Sequence, residues 1–188
     1  MTTGVVLNSI WPRAMTDSAL TGRASAHALL DLDASTVMTR RVVAASPARA
    51  WDGLMFYEQI AGRPPLHLRL LLPVPIRTVG EKSRVGDEAR CLYDRGHLIK
   101  RVSQVDVGRR YAFDVVEQAL VIGGGMLLSG GEYALLEVAP GRVEIRVTTR
   151  YASPRRPRWV WRPIEHAVCH SFHRHILRAM QRAIEGRR

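Results

Sequence analysis

From residue 87 to residue 151 the chain is a succession of short alternating segments, 87–94, 97–105, 110–118, 119–128, 131–139 and 142–151, most of them parted by turns bearing glycine or proline. Alternation with a period of two gives each strand one face to bury. A single long helical pattern is available to cover that face, the one that follows Pro163 and runs to about Glu185, with Gly186 as its stop. The pattern predicts an α+β domain in which an antiparallel sheet curls around a C-terminal helix.

Upstream, Thr36 to Ala45 reads as a strand. Ser46 and Pro47 then supply an N-cap and a proline at the first helical position, opening a helix through Trp51, Leu54, Met55 and Ile60. After a break at 62–65 an extended, proline-punctuated stretch reaches Ile76, which brings the sheet to about seven strands. Residues 1–34 show no sustained period and are expected to form a flexible extension, with one helical turn near 24–30; residues 35–188 form the domain. An apolar content of 46% is enough to close one core, which excludes a disordered chain. The longest apolar run, Leu120 to Leu128, holds three glycines and falls short of the ~18 residues that a membrane span needs. With no signal-like N-terminus, a soluble cytoplasmic protein is expected. Cys91 and Cys169 read as buried free thiols.

The order of elements resembles the START-like, or helix-grip, superfamily, also called SRPBCC, which includes polyketide cyclases and lipid-transfer proteins. The stretches that carry the resemblance are "ASPARAWDGL" after the first strand, "GDEARCLYDRGHLIKRV", "GGEYALLEVAPGRVEIRVTTRY" and the closing "EHAVCHSFHRHIL". Its paired histidines are similar to those of one bacterial subgroup. The resemblance spans about residues 36–185 and implies an apolar cavity between sheet and helix. Members range from pure binders to enzymes, so activity is left open.

Turn positions set an expected register, because opposed residues of an antiparallel pair share a face. A loop at Arg95-Gly96 sets Tyr93 opposite Leu98, Cys91 opposite Lys100 and Ala89 opposite Val102. A loop at 106–109 sets Gln104 opposite Tyr111, Val102 opposite Phe113 and Lys100 opposite Val115, with Arg101 meeting Asp114 outside. A turn at Pro140-Gly141 pairs Val138 with Val143, Leu136 with Ile145, Ala134 with Val147 and Glu132 with Thr149, leaving Glu137 beside Glu144 outside. The expected inner face therefore carries Tyr93, Lys100, Tyr111, Phe113, Val115, Glu117, Glu132, Val147, Thr149 and Tyr151. A one-residue bulge would turn any of these outward.

On the last helix, a rotation of about 100° per residue gathers Val168, Cys169, Phe172, Ile176, Ala179, Met180 and Ala183 into an apolar arc, with Arg174, Arg178 and Arg182 opposite. His166, His170 and His173 fall on the border, and His175 on the polar side. Spacings of four and three residues suit a metal, yet no HExxH pattern accompanies them. No metal and no cofactor is expected. His170 and His173 are expected at a polar cavity rim, with plain helix packing as the other reading.

Basic charge concentrates at the C-terminus, where residues 155–188 hold nine arginines against Glu165 and Glu185. Lys82 and Lys100 are the only lysines among 28 basic residues, a preference that a GC-rich coding genome explains as well as phosphate binding does. Arg155, Arg156 and Arg158 with Trp159 and Trp161, extended by Arg174 and Arg178, suit an anionic membrane surface. A solvated connector is the plainer reading, and nucleic acid ranks lower because no nucleic-acid module accompanies the patch.

Three functions follow as expectations. The first is binding, and carrying, of a small hydrophobic molecule or lipid in a cavity lined by Tyr93, Phe113, Val115, Val147, Tyr151, Phe172 and Ile176, beside Lys100, Tyr111, Glu117, Glu132, Thr149, His170 and His173. The second is a cyclase-, dehydratase- or hydrolase-like enzyme acting on a polyketide-like or lipid substrate, with Glu117 or His173 as general base and Lys100 stabilising an oxyanion. The third is a peripheral membrane adaptor.

Overall fold

A computed structural model of the chain describes residues 33–55, 72–73, 75–122 and 125–186. Seven strands form one antiparallel sheet: β1 (Asp33–Ala44), β2 (Pro75–Gly80), β3 (Glu88–Tyr93), β4 (Gly96–Asp106), β5 (Arg110–Ala119), β6 (Leu127–Ala139) and β7 (Arg142–Ser153). Their order across the sheet is β1-β7-β6-β5-β4-β3-β2, so β1 and β2 are the edges. Among the described residues the helices are α1 (Pro47–Met55) and the 29-residue α2 (Arg158–Gly186). This is the expected α+β architecture, a curved sheet gripping a long C-terminal helix. The extension and its helical turn lie outside the described residues, apart from residues 33 and 34, which belong to β1. Residues 56–60 of the expected first helix lie outside them too.

Helix α1 starts where Ser46 and Pro47 place it, with the Ser46 hydroxyl accepting from the Arg49 amide at 3.4 Å. Its Trp51 and Leu54 join Val143, Ile145, Tyr133 and Leu135 of the sheet and Leu177, Met180 and Ile184 of α2 in one apolar cluster. A second cluster, with Val37, Leu98, Met126, Tyr151 and Cys169, fills the other end. Gly53 is where α1 touches α2: a Cβ there would sit 2.3 Å from Ile184 Cγ1, and Ile184 is only 2% exposed. Gly53→Ala should therefore cost about 1–3 kcal/mol by overpacking, read as a lower urea midpoint, although alanine is the better helix former.

Helix α2 begins at Arg158, five residues before the expected start at Pro163. Proline lacks the N–H that would bond back to residue 159, but so near the helix start this removes a single bond. The expected strand at 119–128 is instead a turn and the first residues of β6. Ile122 and Met126 form an isolated bridge. The buried Gln118 amide closes the turn by donating to the Leu120 and Met126 carbonyls at 3.1 and 2.8 Å and accepting from the Leu128 amide at 2.8 Å.

Four bulges decide which side chains face α2. At the first hairpin the two-residue turn is Asp94-Arg95, so Cys91 meets Leu98 and Ala89 meets Lys100. This two-residue slip leaves every side chain on its expected face. Between β4 and β5 the pairs Val102–Phe113, Arg101–Asp114 and Lys100–Val115 form as expected. An extra residue at Ser103 then sets Tyr111 opposite Val105, and another at Val116 sets Glu117 opposite Ile99. Between β6 and β7, bulges at Val138 and Ser129 set Leu136 opposite Glu144, Glu132 opposite Thr148 and Gly131 opposite Thr149. The expected register would have put Glu137 against Glu144, two like charges, with Leu136 and Ala134 inside. The bulge at Val138 separates the carboxylates and buries Tyr133 and Leu135 instead.

A candidate ligand site on the inner face

The inner face presents Tyr93 from β3, Lys100 from β4, Phe113 and Val115 from β5 and Thr149 from β7, all half-buried. Gly131 of β6 lies opposite Phe113, and a Cβ there would fall 2.7 Å from Phe113 Cζ, so the glycine gives the ring its place against the sheet. Tyr111, Phe113 and Tyr133 form an aromatic group with centroids 6.4–6.5 Å apart. Lys100 Nζ stands 4.7 Å from the Phe113 ring centroid. At that distance the ring face attracts the ammonium, which keeps its charge on the inner side.

Helix α2 makes its main sheet contacts with β1 and β7, at one margin of the sheet. Its buried stripe, Cys169, His173, Leu177, Met180 and Ile184, presses on that margin. His170 and Gln181 lean toward β1, where they bond to Thr39 and Arg41. By helical rotation Phe172 and Ile176, both half-buried, fall on the other flank, toward β6 and β5. The polar groups on the β1 flank and the aromatic floor thus lie on opposite sides of the helix.

Several expected site residues take other places. Glu117 points outward, its Oε1 2.9 Å from His97 Nε2, because the Val116 bulge inverts the strand after Val115. Glu132 also points outward and pairs with Arg110 at 2.5 Å. The expected inner pairing of Lys100 with Glu117 does not form. Asp114 is outside as expected, but its ion pair is with Arg150, which crosses Gly130 to reach it at 2.8 Å. Tyr111, Val147 and Tyr151 belong to the packed core.

His173 is 1% exposed and fully engaged. Its Nε2 is 2.8 Å from Thr149 Oγ1 and its Nδ1 3.0 Å from Thr39 Oγ1, which also lies 2.8 Å from His170 Nδ1. The single Thr39 proton serves one imidazole, so the other must donate to Thr39, which couples the tautomers of the two histidines. Burial, with the His170 charge adding to it, pushes the His173 imidazole down to about 4. The ring is a neutral strut joining α2 to β1 and β7, and a general base at this position would first have to give up a threonine.

The start of α2 holds a second polar cluster. Glu165, 3% exposed, accepts from Ser153 Oγ at 2.6 Å and from Tyr151 Oη at 3.3 Å, and pairs with Arg158 at 3.0 Å. Burial opposes its charge, but hydrogen bonds from Arg158 and Ser153 and the guanidinium charge outweigh it and hold the carboxyl below its ordinary range. The same burial, together with the Glu165 charge, raises the Tyr151 phenol to about 12, and burial raises the Cys169 thiol to about 12. Both cysteines are free and buried, as expected. Arg158 is therefore internal, its side chain 14% exposed, and leaves the expected membrane-surface set. Trp161 is half-buried, its indole N–H donating to the Arg156 carbonyl at 3.1 Å. Trp159 is 80% exposed, and Arg155 stacks 4.0 Å from the Trp161 ring.

Sequence reasoning missed Ser35, Thr39, Ser153 and Glu165. A signal was present, since Ser35 and Thr39 share the inward phase of β1 with the buried Val37 and Val43. Polar side chains at core phase need partners, and these find them on α2.

No family model matches the sequence, and no curated protein matches it. Solved structures do resemble it. The Zhui aromatase/cyclase from Streptomyces sp. R1128 aligns at 16% identity over 82% of this chain and 96% of that one, with a TM-score of 0.59. A START superfamily protein from Mycobacterium smegmatis aligns at 12% identity over 80% and 97%, with a TM-score of 0.56. Norcoclaurine synthase from Thalictrum flavum, solved with dopamine and hydroxybenzaldehyde, aligns at 12% identity over 100% and 99%, with a TM-score of 0.54. At these identities the likeness is one of architecture: the chain has the START-like helix-grip fold.

Proposed function

We propose that the chain binds a small, mostly apolar molecule between the inner face of β3–β6 and the Phe172–Ile176 flank of α2, with Lys100 meeting its polar end. One observation carries this reading. Tyr93, Lys100, Phe113 and Val115 turn inward yet are half-buried, while their neighbours nearer α1 and β7 are packed solid. Aromatic and aliphatic walls with one cation are the composition of a site for an amphiphile. Carrying such a molecule between locations is the natural extension of binding it.

The likeness to an aromatase/cyclase favours a second reading, a cyclase-, dehydratase- or hydrolase-like enzyme. Of the three residues it would use, only Lys100 keeps the expected place. Binding therefore leads.

Native mass spectrometry of the purified protein, followed by calorimetric titration with fatty acids, their alcohols and polycyclic phenols, tests both readings. Lys100→Met should weaken acidic ligands about tenfold or more, the worth of one charge-assisted hydrogen bond, and leave alcohols nearly unchanged. Arg101→Met, on the outer face, should change neither. Equal effects of the two substitutions would sink the reading, and a changed ligand mass after incubation would move it to the enzyme.

A further inference from the structure

The start of α2 is built against its own electrostatics. From Pro154 to Ile164 the chain has four arginines, two tryptophans and no acid, and the first turn of α2 contains no acidic residue. Cations at a helix N-terminus are disfavoured by the helix dipole. Glu165 pairs with Arg158 inside the protein. Arg156 and Arg162 stay exposed, and Arg155 lies over Trp161.

Exposed apolar side chains share this end of the molecule. Trp159 is 80% exposed and Ile164 48%. The β5–β6 turn stands beside Pro154, at the start of the β7–α2 connection: a Cβ on Gly125 would lie 3.6 Å from Pro154 Cγ, and Val121 in that turn is 73% exposed.

We propose that this end, where the β7–α2 connection meets the β5–β6 turn, docks onto an anionic lipid bilayer. Trp159 enters the interface, and Arg155, Arg156 and Arg162 meet headgroup phosphates. Two observations favour a bilayer over nucleic acid. The Trp161 ring is already covered by Arg155, which among the described residues of this end leaves Trp159 as the one open aromatic where a strand needs successive stacking platforms. Val121 and Ile164 are aliphatic, which suits the boundary between headgroups and acyl chains. Arg174 and Arg178 belong elsewhere. They lie on the far side of α2 from the sheet, and Arg174, twelve residues past Arg162, is about 18 Å further along the axis.

Co-sedimentation of the full chain with phosphatidylcholine vesicles, with and without phosphatidylserine, tests the proposal. Binding is expected only with phosphatidylserine and should fall as salt rises. Arg156→Ser with Arg162→Ser should weaken it about thirtyfold, and Trp159→Ala should weaken it several-fold. Arg174→Ser with Arg178→Ser should stay within about threefold of the parent, because that surface lies away from the contact. All four arginine side chains are exposed, so the variants should keep the parent's circular dichroism. Equal binding to neutral vesicles, no binding to either, or equal losses from the two arginine pairs would overturn the proposal. Tight binding of single-stranded DNA at physiological salt, with anionic vesicles left unbound, would assign the surface to nucleic acid instead.

Discussion

Glu165→Ala should lower the unfolding free energy by about 3–5 kcal/mol, the cost of leaving a buried charge without its partner. Arg158, whose side chain is 14% exposed, would lose this carboxylate, and the Ser153 and Tyr151 hydroxyls would lose their acceptor. The double variant Arg158→Met with Glu165→Leu should cost far less, because apolar groups of similar size remove both charges together. Urea unfolding of the parent and both variants measures the difference. If the double variant were as unstable as Glu165→Ala, the loss would lie in packing and in the Ser153 and Tyr151 hydroxyls that lose their acceptor in both variants, and the ion pair would carry no special weight.

Acid should destabilise the domain before its carboxylates titrate. His173 is held neutral, with its folded pKa pushed from 6.5 down to about 4 by burial and the His170 charge. A depressed histidine contributes stability that is complete above the unfolded value and is lost as pH falls from 6.5 to about 4. The loss should reach about 3 kcal/mol at the lower end, since each tenfold drop in proton affinity on folding is worth ~1.4 kcal/mol. His166, lowered by burial and Arg162, adds to the slope in the same direction. Glu165 extends the loss below the ordinary carboxylate range, because its folded pKa is depressed as well. Chemical denaturation across this window should show the fall in the parent and a much flatter profile in His173→Gln, which keeps hydrogen-bonding capacity toward Thr39 and Thr149 but cannot titrate. A profile unchanged by His173→Gln would remove His173 as the group responsible.

The two clusters behind these predictions were only half legible in the sequence. Polar residues at the inward phase of β1 and a glutamate opening an amphipathic helix are visible there. Their partnership depends on β1 lying beside β7 and beneath α2, contacts that span 131 and 134 residues between Thr39 and the two histidines. A histidine on the border of an apolar helix face reads equally well as a cavity rim or a packed strut. The two threonines that decide between them arrive from distant strands.

Local chemistry dictated what depends on neighbours in the chain. Alternation set the strands, Ser46-Pro47 opened α1, and the amphipathic arc with its single long helix imposed the helix-grip architecture. Arg101 opposite Asp114 and Lys100 opposite Val115 followed from the 106–109 turn, and with them the inward lysine. Tertiary structure decided where the register changes. Each bulge is a contest between strands: at Val138 the sheet trades one unpaired residue for separated carboxylates and a buried Tyr133 and Leu135. At Val116 it turns Glu117 outward to His97 and brings Gln118 inward to close a turn. Because side chains alternate with a period of two, one inserted residue reverses every face beyond it. For that reason the chain alone determined the fold and the inward cation, whereas only the assembled sheet determined that Glu117 and Glu132 lie outside the site.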